Sequence, residues 1–237
     1  MSDEQRVVVV VQSRMGSNRL PGKSLRILAG RPMIDHVLGR AAAIPHVDDV
    51  VLATSMSDLD DRLVDHVALN HAVSVWRGPE WDVLERVTHA ALFKRADVVI
   101  RITGDCPLLD PAIAGAVLEL FRTSPVDYAS NDTTCSGYPD GTDVEVMTFG
   151  VLDWASARAT DRCDREHVTP FIRKHARCTT LMADHSYPGI KLSVDVMDDF
   201  ARVQEICRYL PTGDTSLAAT LMAAWSAPNG LLQGEHL

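Results

Sequence analysis

Five consecutive valines, at residues 7–11, restrict the folds open to this chain more than any other segment. A continuous β-branched run without polar alternation is typical of a strand that is buried on both faces of a parallel sheet. A polar loop at residues 12–23 follows the valines, and apolar residues at helical spacing begin after Pro32, which fits a first helical position. The start of the chain therefore predicts a buried strand, a loop and an α-helix.

The strand–helix order recurs through the first half of the chain. Further strands are predicted at residues 50–53, 73–76 and 97–102, and helices at residues 57–68, 81–93 and 111–121. Ser57 and Asp60 resemble a capping box for the first of these helices, and Asp110 with Pro111 fits an N-cap and first helical residue for the last. Repeated strand–helix units predict an α/β fold with an open, mostly parallel sheet and helices on both faces.

The second half of the chain has a different pattern. Strands are predicted at residues 143–148, 179–183 and 191–194, and helices at residues 151–159, 166–175 and 199–209. No linker rich in proline, glycine or serine separates the halves. We therefore expect a single domain over residues 1–237, in which residues 126–188 form a smaller α+β excursion that could serve as a lid or a dimerisation surface.

Composition excludes several classes of protein. The net charge of -9 argues against a protein that follows a nucleic-acid backbone, although a local cluster of cations can still bind a nucleotide. The five cysteines lack CxxC spacing, and no histidine pair has metal-ligand spacing, so we expect reduced thiols and no zinc site. No apolar stretch approaches the roughly 20 residues of a membrane span. We expect a soluble, cytoplasmic protein that binds neither nucleic acid nor membrane.

The polar loop at residues 12–23 carries the strongest functional signal. It leaves the first strand at its carboxyl end, where open α/β sheets bind their ligands. Its glycines, polar side chains and cations suit an anion; they are Gly16, Gly22, Ser13, Ser17, Asn18, Arg14, Arg19 and Lys23. Five residues separate the glycines, and Pro21 stands where a P-loop has its second glycine, so the loop is not a Walker A motif.

The loop sequence SRMGSNRLPGK, at residues 13–23, resembles the nucleotide-binding signature of the cytidylyltransferases that activate acidic sugars, the 3-deoxy-manno-octulosonate and acylneuraminate enzymes. Ser13 departs from the alanine of those enzymes. Gln12 is similar to the branch named for the spore coat polysaccharide biosynthesis protein F. Further matching segments lie at residues 30–33, 53–55, 77–78, 82–84, 101–108, 140–145, 165–170, 194–195 and 198–200.

This resemblance implies a Rossmann-like nucleotidyltransferase fold and an enzyme of polysaccharide biosynthesis. The enzyme would couple CTP to an acidic sugar of the 3-deoxy-ulosonic or nonulosonic acid type and release pyrophosphate. The resemblance also implies a homodimer, and Mg²⁺ bound by Asp105 and Asp195. The position of Asp105, after the fourth predicted strand and on the same sheet edge as the basic loop, suits a magnesium ligand independently.

The resemblance assigns the other site residues. The catalytic residues are Arg14, Lys23 and Asp105. The nucleotide-binding residues are Gln12, Ser13, Gly16, Ser17, Arg19, Thr54, Ser55, Thr103 and Gly104. The acceptor-binding residues are Arg77, Asp82, Arg101, Asp143, Glu145 and Glu166. We expect Lys23 and Asp105 to face each other across the triphosphate. For Glu166 and His167, an acid–base role and a capping or packing role both remain open.

Two other functions fit parts of the sequence. A cytidylyltransferase could act on a phosphonate or a phosphorylated small molecule; a cluster of two or more cations in the acceptor pocket would favour that acceptor, and one arginine a sugar acid. A glycosyltransferase-like or non-catalytic nucleotide-binding protein is the second alternative. It is opposed by the presence of Lys23 and Asp105, and by Thr103 in the place of the first aspartate of a D-x-D motif.

Overall fold

A computed structural model describes residues 5–227. Its strands are β1 (Val7–Gln12), β2 (Ile27–Leu28), β3 (Arg31–Pro32), β4 (Asp49–Ser55), β5 (Ser74–Gly78), β6 (Val98–Thr103), β7 (Tyr128–Ser130), β8 (Glu145–Thr148) and β9 (Cys178–Thr180). Its α-helices are α1 (Met33–Ala42), α2 (Asp61–Asn70), α3 (Val83–Phe93), α4 (Pro111–Thr123), α5 (Phe149–Arg158), α6 (Arg162–His167), α7 (Pro170–His175), α8 (Met197–Tyr209) and α9 (Leu217–Ser226).

Seven strands form one sheet in the order β5-β4-β1-β6-β8-β7-β9. Strand β1 lies between two parallel neighbours, with Val9 opposite both Val50 of β4 and Ile100 of β6. Strand β8 pairs antiparallel with β6 and β7, and β9 pairs parallel with β7. The predicted α/β fold with a mostly parallel sheet is therefore confirmed.

The valines of β1 are all buried because helices cover both faces of the sheet. Val7, Val9 and Val11 pack in one core cluster with α1 and α4 side chains, whereas Val8 and Val10 pack in a second cluster with α3 and α5 side chains. A third cluster joins the polar loop and α1 to α8 and α9. This third cluster fixes the loop at the carboxyl end of β1 against the last helices.

Residues 126–188 contribute strands β7, β8 and β9 to the same sheet. Helix α5 of this segment packs on α3. We therefore propose that the segment belongs to the domain formed by the first half of the chain.

Some elements differ from the sequence-based prediction. The helix predicted at residues 166–175 is two helices, because Val168 has a φ of 72° and Pro170 cannot continue a helical hydrogen-bond pattern. The strand predicted at residues 191–194 is only an isolated bridge between Asp140 and Lys191. Pro32 precedes α1 instead of starting it. Strand β7 and helix α9 were not predicted, since three residues are too few for a periodic pattern and α9 is apolar on most sides.

No helix among residues 5–227 is both long and apolar enough to cross a bilayer.

Asp110 joins two distant parts of the fold through one buried carboxylate. One oxygen caps α4 by accepting from Ala112 N at 2.7 Å, and the other accepts from Leu217 N at 2.7 Å. We expect Asp110→Ala to lower the free energy of unfolding by about 2–3 kcal/mol, because it removes a cap and leaves a buried N–H unsatisfied. Urea denaturation would measure the loss.

Asp161→Ala is the matched control for this prediction. Asp161 caps α6 by accepting from Cys163 N, and it is exposed. We expect a loss of about 1 kcal/mol, the usual contribution of a cap. Equal losses in the two variants would contradict the role of the Leu217 contact.

Candidate active site

A cavity of about 300 Å³ opens at the carboxyl ends of β1 and β6. Most of the residues predicted to bind nucleotide and metal line it. These are Gln12, Ser13, Arg14, Ser17, Arg19, Lys23, Thr103, Gly104, Asp105 and Asp195. Asn18 and Glu166 also line it, together with His167, Val83 and Arg86. The cavity thus joins the basic loop, the end of β6, helices α3 and α6, and a late segment of the chain.

The ends of β1 and β6 are held together at Gly104. Its N–H donates to the carbonyl of Gln12 at 2.8 Å. A Cβ at position 104 would lie 2.5 Å from Cβ of Ser13, a distance that no real pair of carbon atoms in contact adopts. Only glycine therefore allows the two strand ends, and the polar groups that follow them, to approach so closely.

Asp60 holds the basic loop in place, a role that the sequence did not indicate. Its carboxylate accepts from Met15 N at 2.6 Å and from the hydroxyl of Thr54 at 2.8 Å, and also binds Ser55. Ser57 caps the turn before α2 without Asp60, so the predicted capping box is wrong. Thr54 and Ser55 are buried beneath the loop and do not line the cavity. They act on the loop through Asp60.

Lys23 lies between the two acidic residues assigned to the metal. Its Nζ donates to Oδ2 of Asp105 at 2.9 Å and to the carbonyl of Val194 at 2.7 Å, and lies 3.7 Å from Oδ1 of Asp195. Burial favours the neutral acid of Asp105, but the ammonium of Lys23 outweighs it and holds the pKa of that carboxyl below its usual value. Lys23 and Asp105 are thus in direct contact. The sequence suggested instead that a triphosphate would lie between them.

Asp195 reaches the end of β6 through backbone contacts. Val194 N donates to the carbonyl of Asp105 at 2.9 Å. Gly141 lets the segment lie this close: its φ is 93°, and a Cβ there would lie 2.3 Å from the backbone nitrogen of Ser193. Arg19 then binds Oδ1 of Asp195 at 2.7 Å. Asp105 and Asp195 together present carboxylate oxygens at one place, as a hard divalent cation requires.

Two further loop residues, Arg14 and Gly16, lie beside Glu80, whereas Ser17 stabilises the loop itself. Arg14 donates from Nη1 to Oε1 of Glu80 at 2.7 Å. Gly16 does not line the cavity, but a Cβ there would lie 3.1 Å from the same carboxylate oxygen. The hydroxyl of Ser17 accepts from Leu20 N at 3.4 Å, which stabilises the turn of the loop. An anionic ligand would compete with Glu80 for the guanidinium of Arg14.

Arg86, on α3, also lines the cavity, although the sequence did not predict it there. It is 2% exposed, and its Nη1 donates to the carbonyls of Pro79 at 2.7 Å and Glu80 at 3.2 Å. Burial lowers the pKa of the guanidinium to about 10, so it remains charged at neutral pH. The sequence did contain an indication of a buried arginine, because Arg86 lies on the apolar side of α3 with Val83 and Val87. A buried cation of this kind usually has a specific partner.

A second cavity of about 180 Å³ adjoins the first, and Thr103 lines both. Three predicted acceptor residues line it: Arg101, Asp143 and Glu145. Arg101 forms an ion pair with Glu145 and donates to Oε1 of Gln12 at 2.9 Å. Glu145 also accepts from the hydroxyl of Tyr128 at 2.8 Å. Burial raises the pKa of Asp143 above its usual value.

Two predicted acceptor residues lie elsewhere. Arg77 binds the carbonyls of Ser55 and Ser57 and the carboxylate of Asp61, so it fixes the turn before α2. Asp82 caps α3 and forms an ion pair with Arg165 at 2.5 Å. Neither lines the two cavities described here. Their contacts are those of residues that hold loops and helices together.

The chain is similar to several known proteins. Residues 8–212 match the model of a protein family described as cytidylyltransferase. The chain is 31% identical over 210 residues to the spore coat polysaccharide biosynthesis protein SpsF of Bacillus subtilis, a match that covers 84% of this chain and 85% of that protein. It is 41% identical over 122 residues to a 3-deoxy-manno-octulosonate cytidylyltransferase of Maricaulis maris, which covers 50% of this chain and 46% of the relative.

The fold is also found among solved structures. A structure described as a cytidylyltransferase from Leptospira borgpetersenii serovar Hardjo-bovis superposes with a TM-score of 0.81 at 25% identity. The superposition covers 87% of this chain and 88% of that one. The family match at residues 8–212 includes every residue that lines the two cavities.

Proposed function

The chain belongs to the cytidylyltransferase family, and from this premise we propose that it transfers CMP from CTP to an acidic sugar of the 3-deoxy-ulosonic or nonulosonic acid type. Cytidylyltransferases are nucleotidyltransferases that use CTP, and the family uses a divalent metal ion, which we propose is Mg²⁺ here. The products would be a CMP-sugar and pyrophosphate. The observation that carries the proposal is the contact of Lys23 with Asp105 and Asp195 inside the cavity at the end of β1 and β6.

The cations of the cavity support binding of a triphosphate. Arg14, Arg19, Lys23 and Arg86 line one cavity in a chain whose net charge is -9. In nucleotidyl transfer, a hydroxyl oxygen of the acceptor attacks the α-phosphorus in line, the bond to the bridging oxygen breaks, and pyrophosphate leaves. Fixed cations at the phosphate oxygens lower the barrier because charge increases there as the reaction proceeds.

The donor set of Asp105 and Asp195 fits a magnesium ion. Magnesium is usually bound by one or two carboxylates, with phosphate oxygens and water completing its octahedron. When bound, the ion would neutralise phosphate oxygens and lower the pKa of the attacking hydroxyl. Asp105 is held as an anion by Lys23, and Arg19 orients Asp195 through a 2.7 Å hydrogen bond. Arg14 and Lys23 would exchange their carboxylate partners for phosphate oxygens.

The second cavity supports a hydroxyl-rich, acidic acceptor. Its two arginines are each matched by a carboxylate, Arg101 by Glu145 and Arg173 by Asp132, and Asp143 adds a further acid. With three carboxylates against two arginines, this cavity repels a doubly charged phosphate group more strongly than a singly charged sugar acid. Arg173 is the more exposed arginine, with 46% of its side chain accessible, and would exchange its Asp132 partner for a sugar carboxylate. This charge balance favours a sugar acid over a phosphonate or phosphorylated acceptor.

Homodimerisation, a role in polysaccharide biosynthesis and a cytoplasmic location belong to the same proposal. Their support is the family and the relatives, in particular the spore coat polysaccharide protein.

The proposal predicts pyrophosphate release from CTP in the presence of a sugar acid. Purified protein would be incubated with CTP, Mg²⁺ and a panel that contains 3-deoxy-manno-octulosonate, N-acetylneuraminate, phosphonates and sugar phosphates. We expect release with a sugar acid, loss of release on adding EDTA, and recovery with excess Mg²⁺. ATP, GTP and UTP serve as controls and should give much slower release.

Two results would contradict different parts of the proposal, one the acceptor and the other the nucleotide. Release with phosphonates or sugar phosphates alone would overturn the acceptor class but leave the nucleotide assignment. A melting temperature that CTP does not raise in the presence of Mg²⁺ would overturn the nucleotide assignment itself.

A further inference from the structure

A second group of metal-ligating side chains lies outside both cavities. Asp35 is in the first turn of α1, His66 is on α2, and His71 follows the end of α2. Nε2 of His66 lies 2.7 Å from Oδ1 of Asp35, and Nε2 of His71 lies 2.9 Å from the same oxygen. Two imidazoles therefore converge, each through the same ring nitrogen, on one carboxylate oxygen.

The three side chains are held by rigid, well-packed elements. Ile34, next to Asp35, packs in the same core cluster as Leu63 and Val67 of α2, so the spacing between the two helices is fixed by buried contacts. The side chains are mostly buried but still reach solvent, with 14% of Asp35, 21% of His66 and 19% of His71 exposed. The arrangement thus combines fixed ligand positions with an entry path.

We propose that Asp35, His66 and His71 form a binding site for a first-row transition metal ion, with Zn²⁺ as the ion that suits it best. Two imidazole nitrogens and one carboxylate oxygen are donors that Zn²⁺ accepts, whereas Mg²⁺ requires oxygen ligands throughout. The three ligand atoms all lie within 4.8 Å of one another. Water would fill the remaining position of a tetrahedral ion.

The two contacts with Asp35 need only small changes to admit the ion. Ligand atoms about 2.0–2.1 Å from a tetrahedral zinc are roughly 3.3 Å apart. The Asp35 contacts of 2.7 and 2.9 Å would therefore open by about half an ångström, which rotation of the side chains can supply. In a neutral imidazole the proton on Nε2 would move to Nδ1, so that the Nε2 lone pair faces the ion.

The distance of Asp35 along the chain from the two histidines concealed this cluster. The two histidines are five residues apart, and His71 has left the helix in an extended conformation, with a φ of -133°. Asp35 is 31 residues from His66 along the chain. His66 and His71 were given no role in the sequence analysis on the ground of their spacing, but a separation of five residues is one that zinc ligands use, and the fold adds Asp35 to the pair. A bound ion would clamp α1 to α2, which is a structural role distinct from the magnesium proposed for Asp105 and Asp195.

The test measures zinc binding directly, without reference to activity. The full-length protein would be freed of metal, titrated with Zn²⁺ in a calorimeter, and assayed for retained zinc after dialysis. We expect one tightly bound equivalent per chain and a rise in melting temperature of about 5 °C. His66→Gln and His71→Gln should each lose the bound equivalent and the rise, while His89→Gln, which alters an exposed histidine of α3, should match the wild type.

Further measurements separate the competing sites. Asp105→Asn should keep the zinc equivalent. The exposed cysteines Cys135, Cys163 and Cys178 could also bind the metal. The Co²⁺-loaded wild type should therefore lack thiolate-to-cobalt charge-transfer absorption. Circular dichroism would verify that His66→Gln and His71→Gln are folded. Retention of zinc by both folded variants, or no tight equivalent in the wild type, would overturn the proposal.

Discussion

Replacing Asp105 with asparagine is expected to reduce pyrophosphate release from CTP at least about 100-fold, the scale on which an enzyme loses one charge-stabilising element. The change keeps the size of the side chain but removes the negative charge that Lys23 contacts at 2.9 Å. The fold should survive, because Nζ of Lys23 retains the carbonyl of Val194 at 2.7 Å and Asp195 at 3.7 Å. Steady-state rates at saturating Mg²⁺, with circular dichroism as a check of folding, would measure the effect.

Asp127→Asn is the control for the removal of a carboxylate charge. Asp127 forms an ion pair with Arg177 on the surface and lines neither cavity. We expect this variant to turn over at the wild-type rate, since exposed ion pairs contribute little. If Asp105→Asn were equally active, Asp105 could not be a metal ligand.

Gly141→Ala is expected to lower the free energy of unfolding by about 3 kcal/mol, from backbone strain and a backbone clash combined. The φ of 93° disfavours any side chain, and the new Cβ would lie 2.3 Å from the nitrogen of Ser193 and 2.6 Å from the carbonyl carbon of Leu192. The segment that carries Asp195 must therefore move away. We expect pyrophosphate release to fall at least about tenfold as well, because a displacement near 1 Å can reduce turnover by more than this.

Gly189→Ala is the control that separates the effect of backbone strain from the effect of a steric clash by the new Cβ. Gly189 also has a left-handed φ, of 76°, but no atom lies within 4 Å of the position of its Cβ. We expect a loss of about 1 kcal/mol from strain alone, with turnover close to that of the wild type. The same losses of stability and turnover in both variants would contradict the proposed role of the close approach at Gly141. Urea denaturation and the pyrophosphate assay provide the two readouts.

The parts of the fold that could be predicted are segments whose own residue pattern determines what must pack against them. Five valines in a row require cover on both faces, and α1 and α3 provide it. A polar loop after such a strand must lie at the carboxyl edge of the sheet, which is why the loop residues and Asp105 were found together. Strand β7, in contrast, has only three residues and owes its place to pairing with β8 and β9.

The parts of the site that were not predictable depend on contacts between distant residues. Asp60 has the spacing of a capping residue, yet it turns to Met15 and Thr54, because those groups are buried near it. Arg77 and Asp82 belong to segments that resemble the family, but resemblance does not say whether a side chain faces a ligand or a neighbouring turn. Thr54 and Ser55 lie one layer below the cavity for the same reason.

The contacts of Lys23 span 82 residues to Asp105 and 171 residues to Val194. Ribosomes deliver a polypeptide from its amino terminus, so a nascent chain that has not yet emerged as far as Asp195 cannot contain the complete candidate site. Closing so long a loop is slow compared with pairing neighbouring strands, and the central strands can form before it. Catalytic competence should therefore be among the last properties that this enzyme acquires during its synthesis.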